Sequence, residues 1–89
     1  MNEFGKRLKE LRIERDLTMD MLVSDLKSKY NIEINKGNIS RWENGTVDPA
    51  LKYAIALSRY FDVSLDYMIG LTDSRLPSRM IAYAKGVKK

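Results

Sequence analysis

Apolar residues recur one helical turn apart in short blocks separated by polar punctuation, which is the pattern of a small helical bundle. Phe4, Leu8 and Leu11 fall at i, i+4 and i+7 among charged neighbours and predict an amphipathic helix over about residues 2–15. Asp16 and Leu17 end it. Thr18 stands where an N-cap hydroxyl accepts from the next helix, whose apolar positions are Leu22 and Leu26 and which runs to about Tyr30. A polar stretch over 31–35 follows. Asn35 then caps a short third helix over about 36–44, closed by Gly45 as a left-handed C-terminal residue. Asp48 followed by Pro49 predicts the start of a fourth helix, with the carboxylate as cap and the proline at the first helical position. Leu51, Ala54, Ile55 and Ser58 are its expected inner stripe. Ser64 caps a last short helix carrying Leu65, Met68 and Ile69, and Gly70 stops it. Pro77 interrupts the chain, and residues 78–85 are either a sixth helix, with Met80, Ile81 and Ala84 as its apolar strip, or a frayed tail. The only alternating stretch, 30–34, is too short and polar for a convincing strand. The expected fold class is all-α, a compact five-helix bundle with or without a short sixth helix.

The 89 residues leave room for one core, which at this size buries only roughly 60% of the surface of the unfolded chain. With 44% hydrophobic and 31% charged residues, the composition is that of a soluble globular chain. No apolar run approaches the roughly 18 residues of a membrane span, and the N-terminus lacks the apolar stretch of a signal peptide, so the expected location is the cytoplasm. Cysteine and histidine are both absent. Their absence removes disulfides, thiolate and imidazole metal ligands, and the commonest general base. The carboxylates Asp20, Asp25, Glu33, Asp62, Asp66 and Asp73 lie scattered, with no spacing that suits a metal, a phosphate or paired acid and base. Neither an enzyme nor a cofactor or metal site is expected, and no small-molecule substrate.

Sixteen Lys and Arg against twelve Asp and Glu give a net charge of +4, modestly attractive to polyanions. The segment from Asn35 to Gly45, NKGNISRWENG, is where that charge acquires chemistry. Ile39 and Trp42, three apart, can build a buried side. The other side then shows Lys36, Gly37, Asn38, Ser40 and Arg41, which donate and accept hydrogen bonds with little apolar obstruction. A short helix of this kind fits a major groove about 12 Å wide, where Arg41 can pair bidentately with guanine and Lys36 can reach a base edge or a phosphate. The alternative is a solvated helix face.

The stretch from Leu17 to Gly45 ending ISRWENG, then Asp48-Pro49, then FDVSLDYMIGLTD, resembles the lambda-repressor-like, Cro-type (XRE-type) helix-turn-helix family, in particular repressors of Gram-positive phages and prophages. The resemblance runs from about Phe4 to Asp73. It implies a DNA-binding domain over residues 1–73 and a C-terminal extension over 74–89. It also implies that the helix from Thr18 lies across the DNA backbone, while the helix from Asn35 is the recognition helix. Asn35, Lys36, Gly37 and Arg41 then match positions that face base edges. Thr18, Met19, Asn38, Ser40 and Asn44 match positions near phosphates. Met19 departs from the glutamine or serine usual there. Arg12 and Glu43 match a structural ion pair.

Between Leu26 and Asn35 the chain is about six residues longer than the family's tight turn. The insertion, 27–33, is expected to extend the second helix by about a turn, with Ile34 filling the buried turn position. Lys27 and Lys29 are candidates for added phosphate contacts. Val23 stands where the helix crossing usually has alanine or glycine.

The function implied is a sequence-specific double-stranded DNA-binding transcriptional regulator, a repressor of phage or prophage type. One short helix reads few base pairs, so a symmetric homodimer on an inverted-repeat operator is expected. Tyr67, Met68, Ile69, Leu71, Met80, Ile81 and Tyr83 are candidates for its interface or for the core. The rival is a helical protein-interaction module, such as an antitoxin, with secondary DNA binding. The chain is expected to be either a minimal regulator or an excised domain.

Overall fold

A computed structural model of the chain describes residues 3–76. They form five helices: α1 (Phe4–Glu14), α2 (Met19–Tyr30), α3 (Lys36–Glu43), α4 (Leu51–Tyr60) and α5 (Leu65–Met68). No strand occurs among the described residues. The expected sixth helix and its residues Met80, Ile81, Tyr83 and Ala84 lie outside them.

The core draws on every helix. Leu8, Leu22, Leu26, Ile39, Leu57 and Met68 are fully buried, with Phe4, Leu11, Trp42, Ala54, Phe61, Val63 and Tyr67 around them. Helix α3 rests on α1 and α2, α4 packs on α2 and α5, and α5 returns to α1. Small polar side chains close the helix N-termini where the sequence places them. Thr18 Oγ1 accepts from the N–H of Met21, Asn35 Oδ1 from that of Asn38, and Ser64 Oγ from that of Tyr67. Each satisfies a donor that the first helical turn leaves unpaired.

The C-termini share one device. Asp16, Asn31, Gly45, Asp62 and Gly70 all take positive φ, turning the chain out of its helix and placing following N–H groups on the last carbonyls. Asp and Asn tolerate this region better than other side chains. At Asn31 the turn is braced: Lys27 Nζ lies 3.1 Å from Asn31 Oδ1 and 2.9 Å from Glu33 Oε2. Ile32 and Ile34 then pack partly buried against the core, anchoring the connection that feeds α3. Lys27 holds the Glu33 carboxyl below its ordinary pKa through that hydrogen bond.

Two expectations are corrected. Helix α4 begins at Leu51 after Ala50 at the cap, and no side chain caps it; Asp48 and Pro49 precede it in the loop. Pro49 instead lines an apolar groove with Phe4, Asp48, Leu51, Ala54, Leu65 and Ile69. The stripe of α4 is also turned. Ala54, Leu57 and Ser58 are buried, continued by Phe61, while Leu51 is 66% and Ile55 36% exposed. The i, i+3, i+4, i+7 spacing survives with a different phase, and buried Ser58 satisfies its hydroxyl by donating to the Ile55 carbonyl. Of the residues offered for the interface or the core, Tyr67 and Met68 lie in the core, while Leu71 is exposed.

Residues 71–76 run back along α1. Arg7 donates to the carbonyls of Tyr67 and Thr72, both at 2.7 Å, and pairs with Asp73. Arg75 pairs with Glu14 through both guanidinium ends, at 2.8 and 2.7 Å. The Arg7 and Arg75 guanidiniums both lie near the Tyr67 ring, 4.2 and 5.4 Å from its centroid.

Candidate nucleic-acid interface

Helix α3 is fixed from beneath and left open above. Ile39 is fully buried and Trp42 nearly so, with the indole 5.5 Å from the Tyr53 ring. Beside Trp42, Glu43 is locked by Arg12. The Nε and Nη2 atoms of Arg12 donate to Oε2 and Oε1 at 2.6 and 2.9 Å, and Nη1 donates to the Leu17 carbonyl at 2.8 Å. The Glu43 bond raises the Arg12 pKa above its ordinary value. The Arg12 guanidinium thus ties α1, the end of the α1–α2 turn and the end of α3 together.

The N-terminus of α3 is a reciprocal capping box. The side chain of Asn35 accepts from the Asn38 N–H, and that of Asn38 from the Asn35 N–H, both at 2.9 Å. This has a chemical consequence for both residues. Each Oδ1 is engaged in the cap, while the amide NH2 of each residue, a donor, takes no part in it. Lys36 and Arg41 are exposed and contribute donors only. The outward face of α3 is a donor surface, matched to acceptors such as guanine O6 and N7 or phosphate oxygens.

Gly37 belongs to this face for a steric reason. A Cβ built on it would lie 3.0 Å from Arg41 Nη1 and 3.1 Å from Asn35 Oδ1. The glycine leaves the first turn low enough for the Arg41 guanidinium to lie against it, one turn along the helix. At the other end, Asn44 Oδ1 accepts from both the N–H and the hydroxyl of Thr46, again leaving an amide NH2 outward.

The structure brings Thr18 and Met19, at the start of α2, into the same neighbourhood as Ser40 and Asn44. Met19 is half-buried against the core and lines a cleft with Lys9, Ser40, Glu43 and Asn44. Lys27 and Lys29 stand at the opposite end of α2, about 12–15 Å along its axis from Met19 at 1.5 Å per residue. Lys27 is engaged with Asn31 and Glu33, and Lys29 lies 5.4 Å over the Tyr60 ring. Sequence reasoning missed Lys9 in the cleft and Gly5 beneath α3. The signal for Lys9 was available in its position one turn before Arg12 on α1.

Among the described residues, no cluster of three His, Cys, Asp or Glu is placed to hold a metal ion. None of the described helices is long and apolar enough to cross a membrane.

Two successive helices, the second seated on the first and on α1 with its polar face outward, make up a helix-turn-helix. The chain matches the helix-turn-helix domain family over residues 5–74 and belongs to it. Among curated proteins it is 36% identical over 74 residues to the uncharacterized HTH-type transcriptional regulator YobD of Bacillus subtilis (strain 168), covering 83% of this chain and 61% of that one. It is 28% identical over 67 residues to the HTH-type transcriptional activator BcrR of Enterococcus faecalis, covering 75% of this chain and 30% of that one. The chain thus spans less than two thirds of the length of either relative. No solved structure matches it.

Proposed function

We propose that the chain is a sequence-specific double-stranded DNA-binding regulator of transcription that reads the major groove with α3. The observation that carries this reading is the division of α3: Ile39 and Trp42 are buried while Arg41 is exposed and lies over Gly37. Arg41 pairs with a guanine edge, and Lys36 and the amide of Asn35 donate to neighbouring acceptors where Gly37 lets the backbone approach. Thr18, Met19, Asn38, Ser40 and Asn44 hold the flanking phosphates through hydroxyl, amide and main-chain N–H groups. Lys27 and Lys29 add charge at the far end of α2.

Two copies on half-sites about one helical turn, roughly 34 Å, apart give the specificity that one short helix lacks. The names of both relatives, as transcriptional regulators, support the regulatory role. Repression of phage or prophage type is the proposed direction of that control, exerted in the cytoplasm by occupying an operator.

Selection from a random duplex pool at stated salt tests the reading. An enriched inverted repeat with half-sites about one turn apart is the expected result. A pool that returns no enriched sequence overturns it. A reporter carrying the recovered site over its promoter then reads the direction of control. Expression falls if the protein represses, and a rise assigns activation instead.

A further inference from the structure

The outer face of α1 carries an open groove of about 460 Å³ lined by Lys6, Lys9, Glu10, Ile13 and Glu14. All five belong to α1, so among the described residues no second helix closes it. Ile13 is the large apolar residue of the lining and is 54% exposed, and the aliphatic stems of the two lysines extend the apolar surface around it. Glu14 is held by Arg75. Glu10 is exposed and has no ion pair among the described residues.

The strap over 71–76 delivers the chain to this groove. Arg7 fixes it at Thr72 and Asp73, toward the start of α1, and Arg75 fixes it at Glu14, the last residue of that helix. The Arg75 carbonyl also accepts from the Ser64 N–H at 3.0 Å, so the residue before Leu76 is held by main chain and side chain alike. The sequence that follows complements the groove: Met80, Ile81 and Ala84 are apolar, Arg79 and three lysines are cationic, and residues 77–89 contain no acid. Its reach is sufficient. Met80 lies four residues beyond Leu76, roughly 13 Å of extended chain, and α1 from Glu14 back to Lys6 measures about 12 Å.

We propose that residues 77–89 dock on the outer face of α1, with Met80 and Ile81 over Ile13 and Arg79 toward Glu10. The occupant is the chain's own segment because the strap tethers it at the edge of the groove, where its effective concentration exceeds that of a second copy in dilute solution. Lys6 and Lys9 disfavour cations beside them, so apolar contact drives the docking and Glu10 orients it. No residue of α3 takes part, and the proposal is independent of the DNA-binding reading.

The chain has no cysteine, so Gly86→Cys gives a single attachment site for a nitroxide. Amide spectra of the labelled full chain, recorded without DNA, then report which residues the label approaches. Broadening is expected at Lys6, Lys9, Glu10 and Ile13, relieved when the nitroxide is reduced. It should vanish in Ile13→Asp and in Ile81→Asp and persist in Ile13→Leu. The Ile81 variant tests the contact without altering any of the five helices.

Broadening spread evenly over the surface, or unchanged in either Asp variant, overturns the proposal. So does broadening of isotope-labelled wild type by a spin-labelled, isotope-free chain in a mixed sample, which would give the face to a second copy.

Discussion

Arg12 and Glu43 face each other across α1 and α3 as a bidentate pair, with side chains only 12% and 4% exposed. Such a pair is strongly coupled because removing one partner leaves the other's charge buried. Arg12→Ala is expected to cost about 3–5 kcal/mol in chemical denaturation, since Glu43 then keeps a charge without its donors. The double variant Arg12→Met, Glu43→Leu should recover much of that loss, giving a coupling energy of roughly 0.5–3 kcal/mol. Strict additivity of the single changes would remove the pair from the account of how α3 is held.

Gly5 lies where α1 passes under the last turn of α3. A Cβ there would sit 2.3 Å from the Trp42 carbonyl oxygen and 2.7 Å from that of Glu43. Alanine ordinarily strengthens a helix interior by roughly 0.5–1 kcal/mol relative to glycine. Here the clash is with backbone, which cannot swing aside, and overpacking costs about 1–3 kcal/mol. Gly5→Ala should therefore lower the melting temperature, with weaker DNA binding as α3 is pushed outward. A variant more stable than wild type would contradict the close approach.

The Tyr60 hydroxyl donates to Asp25 Oδ2. Burial first, and this hydrogen bond second, push the phenol up to about 12. A raised pKa favours the protonated form in the folded state. The stability it contributes is present in full below the unfolded value near 10 and is lost as pH rises through about 12. Ultraviolet titration should show a late tyrosinate step in the wild type that is missing from Tyr60→Phe. Identical titration curves for the two proteins would refute the assignment.

The sequence made α1 to α3 readable because their signals are local. Thr18, Asn35 and Ser64 cap helices three residues ahead of them, and Gly45 and Gly70 turn the chain within one residue. Ile39 and Trp42 are the only large apolar residues of α3, so its buried side had one solution. In α4 the apolar residues Leu51, Ala54, Ile55, Ala56 and Leu57 allow more than one stripe, and contact with α2 and α5 chose Ala54 and Leu57. Pro49 stands two residues before α4 and lines an apolar groove rather than taking the first helical position that its residue type favours. Within the candidate site, the side-chain types were readable, but their remaining bonding capacity was not. That the Oδ1 atoms of Asn35, Asn38 and Asn44 are engaged within the chain while their NH2 groups are left depends on the capping box and on Thr46.

The most direct test of the central claim is the affinity of Arg41→Ala for the selected operator and for a random duplex, measured at one fixed salt concentration. A base-reading Arg41 predicts a loss of about 1–3 kcal/mol on the operator and relaxed discrimination at a single base pair. The random duplex should be far less affected. Equal losses on both duplexes would make Arg41 a phosphate contact and contradict groove reading by α3.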